Sequence, residues 1–166
     1  MEQIIGKEVL KVQRLDSDAD YEFYSPHAII FTLDSQNEKL IISAINNGSS
    51  VDTRMISDEQ VEDEYGLEFG EHILNDLKKD DELNAFVGEK IQLIRVAEFI
   101  EPEIKGPDFV IKQGKLAGIE FKTETHKLLF QNNNGSWCDI DDDVVELADP
   151  ERWRWKEVRM PTHNST

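Results

Sequence analysis

A chain of 166 residues with 35 acidic and 18 basic side chains, net charge −17, is long enough to bury a core and too negative to favour nucleic acid or an anionic membrane. Its single cysteine, Cys138, excludes an internal disulfide and a cysteine-built zinc site. No apolar stretch reaches membrane-spanning length and Met1 to Lys7 lacks a basic-then-apolar leader, so the expected location is the cytoplasm.

In chain order, Val9, Leu10, Val12 and Leu15 alternate loosely and predict a first strand. Strands follow at Ile29 to Leu33, Leu40 to Ile45 and Val51 to Met55, with Asn47-Gly48 supplying the positive-φ residues of a tight hairpin. Ser57-Asp58-Glu59-Gln60 has capping-box spacing and predicts a helix from Ser57 that Gly66 breaks. Phe69, Ile73, Leu74 and Leu77 fall at helical intervals and predict a second helix. Asp80 or Asp81 caps a last short helix carrying Leu83 and Phe86. Strand patterns then resume at Ile91 to Phe99, Asp108 to Gln113, Ile119 to Lys122, Leu128 to Gln131 and, after the Asn134-Gly135 turn, Trp137 to Ile140. Trp153 and Trp155 alternate in a final strand or docking segment, and the tail from Pro161 is expected to be disordered.

The same short matches recur in the same order in both halves. Ile5-Gly6-Lys7-Glu8-Val9 answers to Val87-Gly88-Glu89-Lys90-Ile91, Lys39-Leu40-Ile41-Ile42 to Lys127-Leu128-Leu129-Phe130, and Asn46-Asn47-Gly48-Ser49 to Asn133-Asn134-Gly135-Ser136. Ala28 to Thr32 matches Ala117 to Thr123 with a slip, and Asp52 falls opposite Asp139. The expectation is an α+β fold, mostly antiparallel, of two tandem diverged β-meanders. The first repeat spans 1–56, a helical insertion 57–86, the second repeat 87–148 and a C-terminal segment 149–166, all within one compact domain.

Sites for chemistry are scarce. Asp139-Ile140-Asp141-Asp142-Asp143 resembles the start of a calcium loop, but the sixth residue is Val144 and the twelfth Pro150 where Gly and Glu are needed. Cys138 with His126 suggests a nucleophile and base, yet in the repeat Cys138 aligns with Val51 and His126 with Glu38, which favours a packed thiol. His27, His72, His126 and His163 lack metal-ligand spacing, and no phosphate-binding glycine loop or hydrolase motif occurs. Neither a cofactor nor a metal is expected, nor is catalysis.

Charge placement remains. Between Asp58 and Glu82 the acids include Glu62, Asp63, Glu64, Glu68, Asp80 and Asp81, opposed only by Lys78 and Lys79. Asp139, Asp141, Asp142 and Asp143 open a second stretch that holds no base. Like charges crowded in this way repel one another, and a basic partner would relieve that repulsion and be steered in by it.

With this size and acidity, and with the β-rich pattern around Ile4-Ile5-Gly6-Lys7 and Tyr21-Glu22-Phe23-Tyr24-Ser25-Pro26, the chain resembles the immunity proteins of bacterial contact-dependent growth inhibition. The resemblance implies a cognate toxin domain, often a basic nuclease, bound one to one and blocked without catalysis. Blocking would come from acidic side chains in the toxin's cationic groove, from a toxin strand added to an open sheet edge, or from both. Two other functions fit the same residues: an adaptor for an unrelated protein, and a small-ligand protein or enzyme with a cleft between the copies.

Overall fold

The computed structural model describes residues 4–16, 27–34, 39–45, 50–67, 72–100, 103–105, 110–112, 116–132, 136–140 and 153–158. Among these the chain is mostly antiparallel β-sheet with one α-helix. The elements are β1 (Val9–Asp16), β2 (Ala28–Leu33), β3 (Lys39–Ile45), β4 (Ser50–Ile56), α1 (Asp58–Tyr65), β5 (Ile73–Asp76), a 3₁₀ helix (Glu82–Phe86), β6 (Leu93–Phe99), β7 (Glu103–Lys105), β8 (Val110–Lys112), β9 (Leu116–Lys122), β10 (Lys127–Asn132), β11 (Ser136–Ile140) and β12 (Trp153–Val158).

Ten strands form one sheet containing two five-stranded antiparallel runs, β5-β1-β2-β3-β4 and β12-β6-β9-β10-β11. The runs meet where Val51 of β4 pairs with Leu116 of β9. Strands β7 and β8 form a separate hairpin. The sequence explains the burial. Ala28-Ile29-Ile30-Phe31 is a continuous apolar run, and all four residues are buried because both faces of β2 are covered. On β9 burial is also continuous from Ala117 to Phe121 but the chemistry alternates, with Ile119 and Phe121 in the shared core and the buried Glu120 turned the other way to pair with Arg95.

That shared core draws on both runs. Ile29, Phe31, Leu40 and Ile42 from one cluster with Ile94, Ile119, Phe121 and Phe130 from the other, and Leu83 and Phe86 of the 3₁₀ helix complete it. The rings of Phe31 and Phe121 stack with centroids 4.7 Å apart, and Phe86 meets both edge-on at 6.3 and 6.1 Å. The opposite face of the first run holds a second cluster, in which Leu15, Ile30, Ile41 and Ile56 pack with Val61 of α1.

Segments 4–9 and 86–91 are laced reciprocally. Gly6 N–H donates to Ile91 O at 2.7 Å and Gly88 N–H to Val9 O at 2.8 Å, while Val9 N–H donates to Glu89 O and Ile91 N–H to Lys7 O, both at 2.9 Å. Exchanging the two segments maps this set of bonds onto itself. Gly6 and Gly88 share a φ of +88°, a conformation that costs other L-residues.

One expectation is corrected. Ile73 and Leu74 belong to no second helix: Ile73–Asp76 is strand β5, paired with β1 through Asp16↔Ile73 and Gln13↔Asp76. The spacing of Ile73, Leu74 and Leu77 fits a helix face, but the unpaired margin of β1 offers a row of backbone bonds that a short extended segment satisfies. The stretch 57–86 therefore contains a strand of the first run between its two helical pieces, while Phe69 lies outside the described residues. The turns at Asn47-Gly48 and Asn134-Gly135 also lie outside them, although the strands on either side pair in antiparallel register.

Candidate functional surface

Helix α1 is fixed at both ends. The Ser57 hydroxyl accepts from Gln60 N–H at 3.2 Å and the Gln60 side chain accepts from Ser57 N–H at 2.9 Å, which completes the expected capping box. Gly66 closes the helix in the left-handed conformation, its N–H donating to Glu62 O. Val61 is the buried residue of α1, so the rest of this short helix is free to carry charge. Asp58, Glu59, Glu62, Asp63 and Glu64 are all exposed.

Their positions along the helix are informative. Asp58 and Glu59 in the first turn complement the positive end of the helix dipole. Glu62, Asp63 and Glu64 crowd the negative end, where each acid opposes the dipole and no basic residue in the last turn offsets it. Arg54 of β4 answers Glu64 and Asp52, and Lys39 answers Asp58. Glu59, Glu62 and Asp63 make no ion pair among the described residues.

The other acids divide. Asp80 is exposed, beside Lys78 and Lys79. Asp81 is turned inward: its carboxylate accepts from Leu83 N–H at 3.0 Å, capping the 3₁₀ helix, and pairs with Arg14 at 3.4 Å. It therefore acts within the fold rather than joining an outward acidic set. Because the 3₁₀ helix enters the shared core while α1 packs on the opposite face of the first run, the sheet separates Asp80 and Asp81 from Glu62, Asp63 and Glu64. Asp139 lies on β11 opposite Leu129. Glu68, Asp141, Asp142 and Asp143 lie outside the described residues.

Two polar groupings went unread in the sequence. At the rim of the first run, three rings interlock: His27 and His72 at 4.8 Å, Tyr65 and His72 at 5.8 Å, and His27 and Tyr65 at 6.0 Å between centroids. His72 Nδ1–H donates to Tyr65 O at 3.1 Å. Partial burial and then the neighbouring His72 hold the His27 imidazole below its ordinary range, while Asp16 pulls the other way. Asp16 is itself pushed up by burial, against the pull of Arg14 at 3.6 Å and a hydrogen bond from Asn75 at 3.4 Å. The residues come from the ends of β1, β2 and α1 and from the start of β5, so no sequence spacing announces them.

On the second run, Arg95 grips Glu120 with two bonds of 2.9 and 2.5 Å and lies 5.0 Å over the Trp155 ring. Glu120 holds the guanidinium in its charged form. This cross-strand pair, with the Trp155 ring beneath it, pins β12, β6 and β9 to one another. Among the described residues no group of three or more His, Cys, Asp or Glu side chains is placed to hold a metal, and no helix is long and apolar enough to cross a membrane.

None of the known family models, curated proteins or solved structures matches the chain.

Proposed function

We propose that this protein is an acidic immunity-type inhibitor that binds one basic toxin domain, of the nuclease kind, in the cytoplasm and neutralises it without performing catalysis. The observation that carries the reading is the last turn of α1. Glu62, Asp63 and Glu64 stand there against the helix dipole, and Glu62 and Asp63 make no ion pair among the described residues. Stability alone would place lysine or arginine at that end. A cationic surface docking on Glu59, Glu62 and Asp63 turns the local cost into association energy and speeds encounter. Strand β5, outermost in its run among the described strands and bearing the exposed Asp76, supplies a margin to which a partner strand can be added.

The scaffold, on this reading, is two diverged copies of one five-stranded unit. Supporting it are the reciprocal bonds of segments 4–9 and 86–91, the stacking of Phe31 on Phe121, and the equivalent places of β5 and β12 beyond β1 and β6. Helix α1 is then an insertion within the first copy rather than a linker between copies.

Co-expression with the product of the adjacent gene tests the function. That product should be lethal alone, harmless beside this chain, and recovered with it in equimolar complex. The triple substitution Glu59→Gln, Glu62→Gln, Asp63→Asn should weaken the complex, flatten its salt dependence and leave Tm unchanged or raised. A product that is harmless alone, or still lethal beside this protein, overturns the proposal.

A further inference from the structure

The His27–Tyr65–His72 cluster joins three elements at one point. Tyr65 ends α1, His72 precedes β5 and His27 leads into β2. Helix α1 has eight residues, too short to persist unsupported, and the rest of its seat is Val61 with the half-buried Tyr65 and Leu67 and the ion pairs Arg54–Glu64 and Lys39–Asp58. The ring cluster is one of the ties between the C-terminal end of α1 and the sheet, beside the Arg54–Glu64 pair.

We propose that these three rings form a proton-operated clasp on α1: proton uptake by the paired imidazoles loosens the end of the helix that carries Glu62, Asp63 and Glu64, and so releases the basic partner. The partner half of this rests on the binding function above; the clasp itself does not. Two imidazoles with centroids 4.8 Å apart repel each other when both are charged, and the tilted packing of the rings is lost as they separate. The groups facing His27 are His72 from the segment before β5, Tyr65 from α1 and Asp16 from β1. Among the described residues, Asp16 is the acid that favours the His27 imidazolium. Its own environment includes Arg14, Asn75 and Asp81, and burial keeps its carboxyl more ready than usual to take up a proton. Acidification thus favours charge on the ring pair, and the resulting repulsion opposes the packing that ties α1 to the sheet. Glu64, the nearest acid along α1, is engaged by Arg54.

Hydrogen exchange on the full-length chain tests the clasp without a partner. Protection of the α1 amides is measured against that of β3 in the same sample at about pH 7.5 and about pH 5, the lower value set well under the ordinary imidazole pKa of about 6.5 because His27 is held below that range. After correction for intrinsic rates, α1 should lose roughly fivefold or more protection relative to β3 on acidification. H27Q and H72Q should each abolish that loss. An unchanged ratio in the natural protein, or an equal loss in both variants, overturns the clasp. Should one variant lose β3 protection at both pH values, it has unfolded and the other decides. With the adjacent-gene product as probe, the complex should dissociate faster at the lower pH and H27Q should remove the difference. A clasp seen by exchange with no such difference would refute the release while leaving the binding function intact.

Discussion

Replacing Phe121 with alanine removes a side chain with no solvent exposure, stacked on Phe31 and edge-on to Phe86. A buried Phe→Ala change costs about 3–5 kcal/mol, and two lost ring contacts place this site toward the upper end, near about 4–5 kcal/mol. At roughly 2–4 °C per kcal/mol for a chain of this size, Tm should fall by about 8–20 °C. The informative comparison is Phe31→Ala, on the other run. All three tryptophans, Trp137, Trp153 and Trp155, belong to strands of the second run, so their fluorescence reports on that run while far-UV circular dichroism reports on both. If the core is shared, Phe31→Ala must shift the tryptophan-reported urea midpoint about as far as Phe121→Ala does, with both probes coincident. A Phe31→Ala protein whose circular dichroism transition moves while its fluorescence midpoint stays in place would show that the two runs unfold separately, and the shared-core reasoning would fail.

Two further outcomes follow from single residues. Gly88→Ala should cost about 1–2 kcal/mol in urea titration although its Cβ meets nothing within 4 Å, because the +88° φ itself is strained for alanine; a neutral result would remove that account. Asp16 has a raised pKa in the folded state, so between the ordinary carboxylate value of 3.8 and that raised value the folded form binds more protons than the unfolded, and stability falls as pH rises through this window. Asp16→Asn should flatten that part of the stability–pH curve, with its largest relative gain above the window; an unaltered curve would point to another group.

Much of the frame was legible because its causes are local. Ala28 to Phe31 and Leu40 to Ile42 read as strands because unbroken β-branched and aromatic runs suit positions covered on both faces, and Ser57 with Gln60 fixed the start of α1 through its own two bonds. Ile73 and Leu74 depart from the helical expectation because the spacing of four residues from Ile73 to Leu77 fits either conformation, and the margin of β1, nearly sixty residues away along the chain, selects the strand. The surface was half legible. Glu62, Asp63 and Glu64 are exposed as their crowding suggested, whereas Asp81 is drawn inward by Arg14, a partner that proximity in sequence does not reveal. The ring cluster was invisible for the same reason, since His27, Tyr65 and His72 become neighbours only after β1, β2 and β5 have paired.

The reciprocal lacing of 4–9 with 86–91 has a consequence for how such a chain can change over time. A substitution that shifts one segment must misalign bonds donated by both, so the middle of the molecule tolerates little drift and its two glycines least of all. The outward faces are under no such double constraint. A charged ornament such as α1 can be added at the periphery, and new partners tried there, while the laced centre stays as it is.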